Sequence, residues 1–173
     1  MTIPTWDLFI MLFFAIAVAY GFLLGKNRIV LTLLTTYIML AVANELGNAL
    51  LSANFIFKSG TSTFILKTSV FLIALFLLAI LFSSRSAIAK YVAGGDESGS
   101  MGSIIFTIIY SFLSAGLIIT SIIFFMTPEG RTQFFAQSHW AKVMMDLRIW
   151  WLILPLVVII FESLRNRNGN GGE

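Results

Sequence analysis

Cysteine is absent from the 173 residues, so this chain has no disulfide, no thiolate-held metal and no cysteine nucleophile. Charge is scarce as well: 11% of the residues are Asp, Glu, Lys or Arg against 58% hydrophobic, and the mean hydropathy is +0.94. That leaves too little polar surface to cover a water-soluble globule of this size. Histidine occurs once, as His139, with no second histidine or nearby acid at ligand spacing, which argues against a metal centre. Nor does it head a triad, because the many Ser and Thr residues lack the motif that frames a nucleophile. The net charge of +3 is spread thinly along the chain and builds no polybasic arm, so nucleic acid is not an expected partner. No cofactor is implied by any motif: the run Gly94-Gly95-Asp96-Glu97-Ser98-Gly99 lacks the flanking strand and the Lys of a phosphate-binding loop and reads as a linker.

What is abundant is the long apolar run. A crossing of a hydrocarbon core of about 30 Å takes about 20 mostly apolar residues in a helix, and the sequence offers room for four or five. The expected fold is therefore an all-α membrane protein, a polytopic bundle of four to five transmembrane helices in one domain over residues 1–163. Spans are expected at about 8–24, 29–51, 64–82, 104–126 and 147–163, followed by a disordered polar tail at 164–173. Met1 to Asp7 lacks the basic start of a cleaved signal peptide, so the first run reads as a retained anchor. Ala15, Ala17 and Ala19 within it suit a smooth face for a neighbouring helix.

Gly21 and Gly25 lead into the short basic turn Lys26-Asn27-Arg28, which forces the first two spans into a tight antiparallel hairpin. The two glycines also match the small-xxx-small spacing that lets helices approach closely in lipid. Residues 83–100, rich in Gly and Ser, read as a flexible loop. Thr127-Pro128-Glu129 reads as a helix start, with a capping hydroxyl, Pro in the first turn and an acid at the positive end of the dipole. Residues 133–146 mix aromatic, Met and charged residues in the manner of an interfacial helix lying along the membrane before the last segment. That last run, 149–161, holds thirteen apolar residues with Pro155 in its middle, so it spans only by recruiting 143–147 and is otherwise re-entrant. Trp140, Trp150 and Trp151 suit the aromatic belt of a membrane interface.

Orientation follows from the basic residues of the loops. With the N-terminus outside, the cytoplasmic side receives Lys26, Arg28, Arg85, Lys90, Arg165 and Arg167, and the outer side Lys58, Lys67, Arg131, Lys142 and Arg148. The basic turn and tail lie nearest the span ends, which favours the N-terminus outside and the C-terminus in the cytoplasm.

The start of the first span, the end of the second and the start of the third share one membrane face. That brings Asp7, Asn44, Glu45, Asn48 and Lys67 to similar depth, and Tyr37, Ala41, Asn44, Glu45, Asn48 and Ser52 fall on one third of the second helix at 100° per residue. A polar stripe of this kind is expected to face protein or water. Two readings follow: Glu45, paired with Lys67, is an ion- or proton-responsive group at the mouth of a crevice, or both charges simply reach the headgroups, since Glu45 lies about 9 Å from the end of its span at 1.5 Å per residue.

With these features placed, the sequence resembles the colicin V production protein (CvpA-like) family of bacterial inner-membrane proteins. The resemblance lies in Trp6-Asp7-Leu8 opening the first span, in Gly21-x-x-x-Gly25-Lys26-x-Arg28 running into the second, in the basic end Arg85 to Lys90 of the third, and in Gly99-Ser100-Met101-Gly102-Ser103 before the fourth. It covers about residues 6–126; Ile104-Ile105-Phe106 stands where the family often has further glycines. The resemblance implies a small multi-pass protein of the bacterial inner membrane, linked to peptide-toxin secretion or envelope homeostasis, with no established enzymatic activity, and the expectation is a non-enzymatic protein. Asp7, Gly21, Gly25 and Arg28 carry over by position as structural or topological determinants. The expected partners are the lipid bilayer and further copies of the chain in a homo-oligomer, or other membrane proteins. The alternative expectation is a small oligomeric channel or transporter subunit whose crevice is lined by the second helix.

Overall fold

The computed structural model describes residues 5–52, 60–81 and 101–169, which form seven helices and no strand. In chain order these are α1 (Thr5–Leu24), α2 (Lys26–Ser52), α3 (Gly60–Leu81), α4 (Met101–Phe125), α5 (Pro128–Gln137), α6 (His139–Asp146) and α7 (Arg148–Gly169). The whole of the expected linker 83–100, with Arg85 and Lys90, and the last four residues of the expected polar tail lie outside the described residues. Residues 164–169, also assigned to that tail, continue α7.

By length and composition three helices are able to cross a membrane: Thr5–Leu24, Lys26–Leu50 and Gly102–Phe125. A fourth crossing arises if His139–Asp146 and Arg148–Leu164, which pass the same test together but are bent by 61°, act as one broken span. Within α3 the apolar helix Thr63–Leu77 is shorter, about 22 Å at 1.5 Å per residue, against a core of about 30 Å.

Between helices in lipid there is little hydrophobic driving force, because the tails outside are as apolar as the side chains inside; close packing and polar bonds hold the bundle instead. α4 is the central helix, touching α1, α2, α3, α6 and α7. Its inward surface is lined with small hydroxyl residues, Thr107, Ser111, Ser114, Thr120 and Ser121, all buried. Thr107, Ser111, Thr120 and Ser121 each donate to the carbonyl four residues earlier, which lets them sit in an apolar interior. Gly21 of α1 faces Ser111, where an added Cβ would lie 1.7 Å from the hydroxyl oxygen. The expected close approach is thus made at Gly21, whereas Ala15 and Ala19 are exposed.

The directions of the helices follow from their contacts. Gly21 meets Ser111 while Ile10 clusters with Ile119 and Ile123, so α1 runs antiparallel to α4. Ile29 and Leu33 cluster with Phe106 and Tyr110 while Ala43 clusters with Phe125, so α2 runs parallel to it. Tyr110 reaches Glu162 while Gly116 lies under Trp151, so α7 returns antiparallel. Helix α1 turns into α2 at Gly25, whose φ of +78° is the left-handed conformation that ends helices and that residues with a Cβ rarely adopt. The tight hairpin predicted from the basic turn is formed by this one residue.

Two features depart from the sequence-based expectations. The interfacial helix over 133–146 is broken: α5 ends and α6 begins at Ser138, whose hydroxyl accepts from the Ala141 N–H and caps α6. Trp151 does not join an interfacial belt. It packs inward on Phe14, Phe112 and Gly116, where a Cβ on the glycine would lie 2.1 Å from its ring. Trp140 and Trp150 are exposed, as that belt requires.

Candidate functional site

At the end of the bundle where α1 begins, the Asp7 carboxylate is buried although it stands in the first turn of an apolar helix. It accepts the Ser138 hydroxyl at 2.5 Å and the Trp140 backbone N–H at 3.3 Å. Both donors come from the first turn of α6, so the carboxylate also meets the positive end of that helix. Beside it the Trp6 indole N–H donates to Gln137 at 3.0 Å and its ring meets Phe134 edge-on. The start of α1 is thereby clamped to the α5–α6 corner. His139, next to Ser138, is exposed.

The opposite end holds a second buried carboxylate, Glu162 of α7. It forms an ion pair with Lys26, the first residue of α2, and accepts the Tyr110 hydroxyl from α4. The Lys26 ammonium also lies 5.9 Å from the centroid of the Phe106 ring. Three helices that do not follow one another in sequence are tied at a single carboxylate. The short turn at Gly25 places Lys26 at this depth, since no loop separates it from α1.

The predicted polar stripe of α2 divides between two neighbours. Tyr37 donates to the Leu152 carbonyl of α7 at 2.5 Å. That carbonyl lies one turn before Pro155, which is fully buried and lacks the N–H that would serve the carbonyl of Trp151. Tyr37 thus ties α2 to α7 beside the proline, at a carbonyl adjacent to the one that Pro155 leaves without its donor. About 10 Å further along α2, by seven residues at 1.5 Å, Asn44 accepts from the Lys67 ammonium of α3 at 3.0 Å. The Lys67 stem lies across Gly47, where any Cβ would meet it at 2.4 Å. Lys67 therefore turns to Asn44 and not to Glu45; Glu45 and Asn48 are exposed. Of the predicted edge, Tyr37, Asn44 and Lys67 bond between helices, Asp7 belongs to a different contact, and Glu45 and Asn48 face outward. Arg28 is partly buried one turn after Gly25.

Chemically, these contacts set charges and hydroxyls against each other in pairs. Among the described residues no three His, Asp or Glu side chains gather as metal ligands. The sequence reading missed Glu162 and Tyr110, and it gave Ser138 no role. A conditional signal for Glu162 existed: where the last run crosses, counting spans puts its end on the same face as Lys26. Comparison with protein-family models, with curated proteins and with solved structures finds no match for this chain.

Proposed function

We propose that this chain is a non-enzymatic membrane protein of the bacterial envelope, which assists secretion or envelope homeostasis as a subunit of an oligomer or a larger assembly. The observation that carries this reading is the use to which the inward-facing charges are put. Asp7, Lys26, Glu162 and Lys67 each bond to a residue beyond their own helix, so these charges are engaged in holding helices together. In lipid such contacts fix helices in place. The motifs from Trp6 to Arg28 that resemble the CvpA-like family are the ones occupied with this clamping and turning, which agrees with a structural use of them. The proposed location is the bacterial inner membrane, with the N-terminus outside. Native mass measurement of the protein in lipid nanodiscs tests the proposal: homo-oligomers or a co-purifying membrane protein are expected, and a strictly monomeric, partnerless species overturns it.

A second reading, a subunit of a small oligomeric channel or transporter, is favoured by one observation. Glu45 and Asn48 are exposed on α2 amid exposed Val42, Leu46 and Leu50, a placement that suits a water-filled path between copies. Since the chain has no cysteine of its own, single cysteines at Ala41, Asn44, Asn48 and Ser52 test it without background. Labelling of the series by a membrane-impermeant thiol reagent is the outcome expected of a pore, and protection of all four removes this reading.

A further inference from the structure

Where α4 ends, two arginines from different helices meet at one aromatic residue. The Arg148 guanidinium lies over the Phe124 ring, 3.6 Å from its centroid. Arg131 reaches the same residue from α5, donating from Nη2 to the carbonyls of Phe124 at 3.1 Å and Met126 at 3.2 Å. The two cations are close enough to act on one another electrostatically. Neither forms an ion pair with a carboxylate among the described residues: Glu129 and Asp146, the acids nearest in sequence, are exposed and unpaired with them.

The local charge does not balance. The C-terminal end of α4 supplies roughly half a negative charge, against two guanidinium charges. An arginine has five N–H donors; Arg131 uses one nitrogen on the helix end, and its Nε is buried without a partner. Arg148 is half-buried over the Phe124 ring and donates none of the hydrogen bonds found among the described residues, so its N–H groups have no protein acceptor there. The position is the boundary of the apolar span Gly102–Phe125, and exposed Trp6, Trp140 and Trp150 mark the same end of the bundle as interfacial. Phosphate-bearing groups are concentrated at that depth, and paired arginines recognise them by two-pronged, charge-assisted hydrogen bonds.

We propose that Arg131 and Arg148 form a binding site for a phosphate-bearing anion at the membrane boundary beside the end of α4. The same chemistry is offered by the headgroup of an anionic phospholipid and by free phosphate. The site is independent of the clamps at Asp7 and Glu162.

The test uses the full chain purified in detergent, with lipid retention read by native mass measurement. One arm offers phosphatidylglycerol against phosphatidylcholine, and a second offers inorganic phosphate as competitor. Preference for phosphatidylglycerol is expected, and Arg148→Gln should weaken it about tenfold, as the loss of a charge-assisted contact implies. Lys142→Gln, which removes an exposed charge from the adjacent helix α6, should leave it unchanged. Displacement by inorganic phosphate would show that the phosphate group alone is recognised, and resistance to displacement would assign the site to the lipid; both support the proposal. Arg148 donates no hydrogen bond to the backbone among the described contacts, so its variant keeps the test informative even where Arg131→Gln disturbs the end of α4. Equal retention of the two lipids together with no effect of phosphate overturns the proposal, as does an Arg148→Gln variant that binds as tightly as the original chain. A loss in Lys142→Gln as large as in Arg148→Gln overturns it too, because general surface charge would then explain the preference.

Discussion

Neutralising one partner of the Lys26–Glu162 pair leaves the other charge mostly buried and without its counter-ion. Glu162→Gln is therefore expected to destabilise the bundle by on the order of 3 kcal/mol, the range measured when one member of a buried pair is removed. The double replacement Lys26→Met with Glu162→Leu should recover most of that loss, since it removes both desolvated charges at once. Denaturant titration of the three variants in micelles measures both. Tyr37→Phe makes a smaller demand: one hydroxyl donor to Leu152 is lost beside Pro155, for which about 1 kcal/mol is expected in the same titration. At this scale legibility was uneven. Asp7 could be singled out because an acid at the start of an apolar run is conspicuous, but its partner Ser138 could not, since nothing local marks a break within 133–146. Glu162 gave no such signal, because it follows a thirteen-residue run interrupted by Pro155 whose crossing is itself undetermined by length, so the depth of its far end does not follow from the sequence.

At the scale of the helix, three glycines sit where neighbours press against the backbone, yet they should not respond alike to a methyl group. At Gly116 the obstacle is the Trp151 ring, itself held by Phe14 and Phe112, so Gly116→Ala is expected to cost about 1–3 kcal/mol as an overpacked core does. At Gly47 the obstacle is the Lys67 stem, which has several rotatable bonds and can shift, so Gly47→Ala should cost clearly less. Thermal unfolding of the two variants side by side reads the order, and a reversed order would show that Trp151 is not fixed in place. Long apolar runs announced α1, α2 and α4, and the Gly25-Lys26 turn announced the hairpin. The inward course of Trp151 was not readable: tryptophans near a span end suit a belt or a core equally, and only the phase of α7 against α4 decides.

For the whole molecule, the antiparallel and parallel packing around α4 carries a topological prediction. Reporters fused after Arg28, Gly95 and Glu173 should report one side of the membrane, and reporters after Gly60 and His139 the other, if the shorter α3 crosses and the bent pair α6 and α7 crosses as one span. A reporter after Glu173 on the same side as His139 would instead make that pair re-entrant. The helical class and the membrane setting were legible from composition, because hydrocarbon admits few other spanning solutions. The number of crossings was not, because the 61° bend between α6 and α7 falls at Leu147, the single residue between the two helices, and run length does not report it.

The clamps at the two ends of the bundle share a property that concerns time. Trp6 and Asp7 find Gln137 and Ser138 each 131 residues away, and Lys26 finds Glu162 only when α7 has been made. During synthesis the first hairpin thus enters the bilayer with its acid and its lysine unanswered, and the last quarter of the chain supplies both partners. Until residue 162 has been made, Lys26 has no carboxylate to meet, so the order of synthesis leaves this cation bare near the membrane while α3 to α6 are being added.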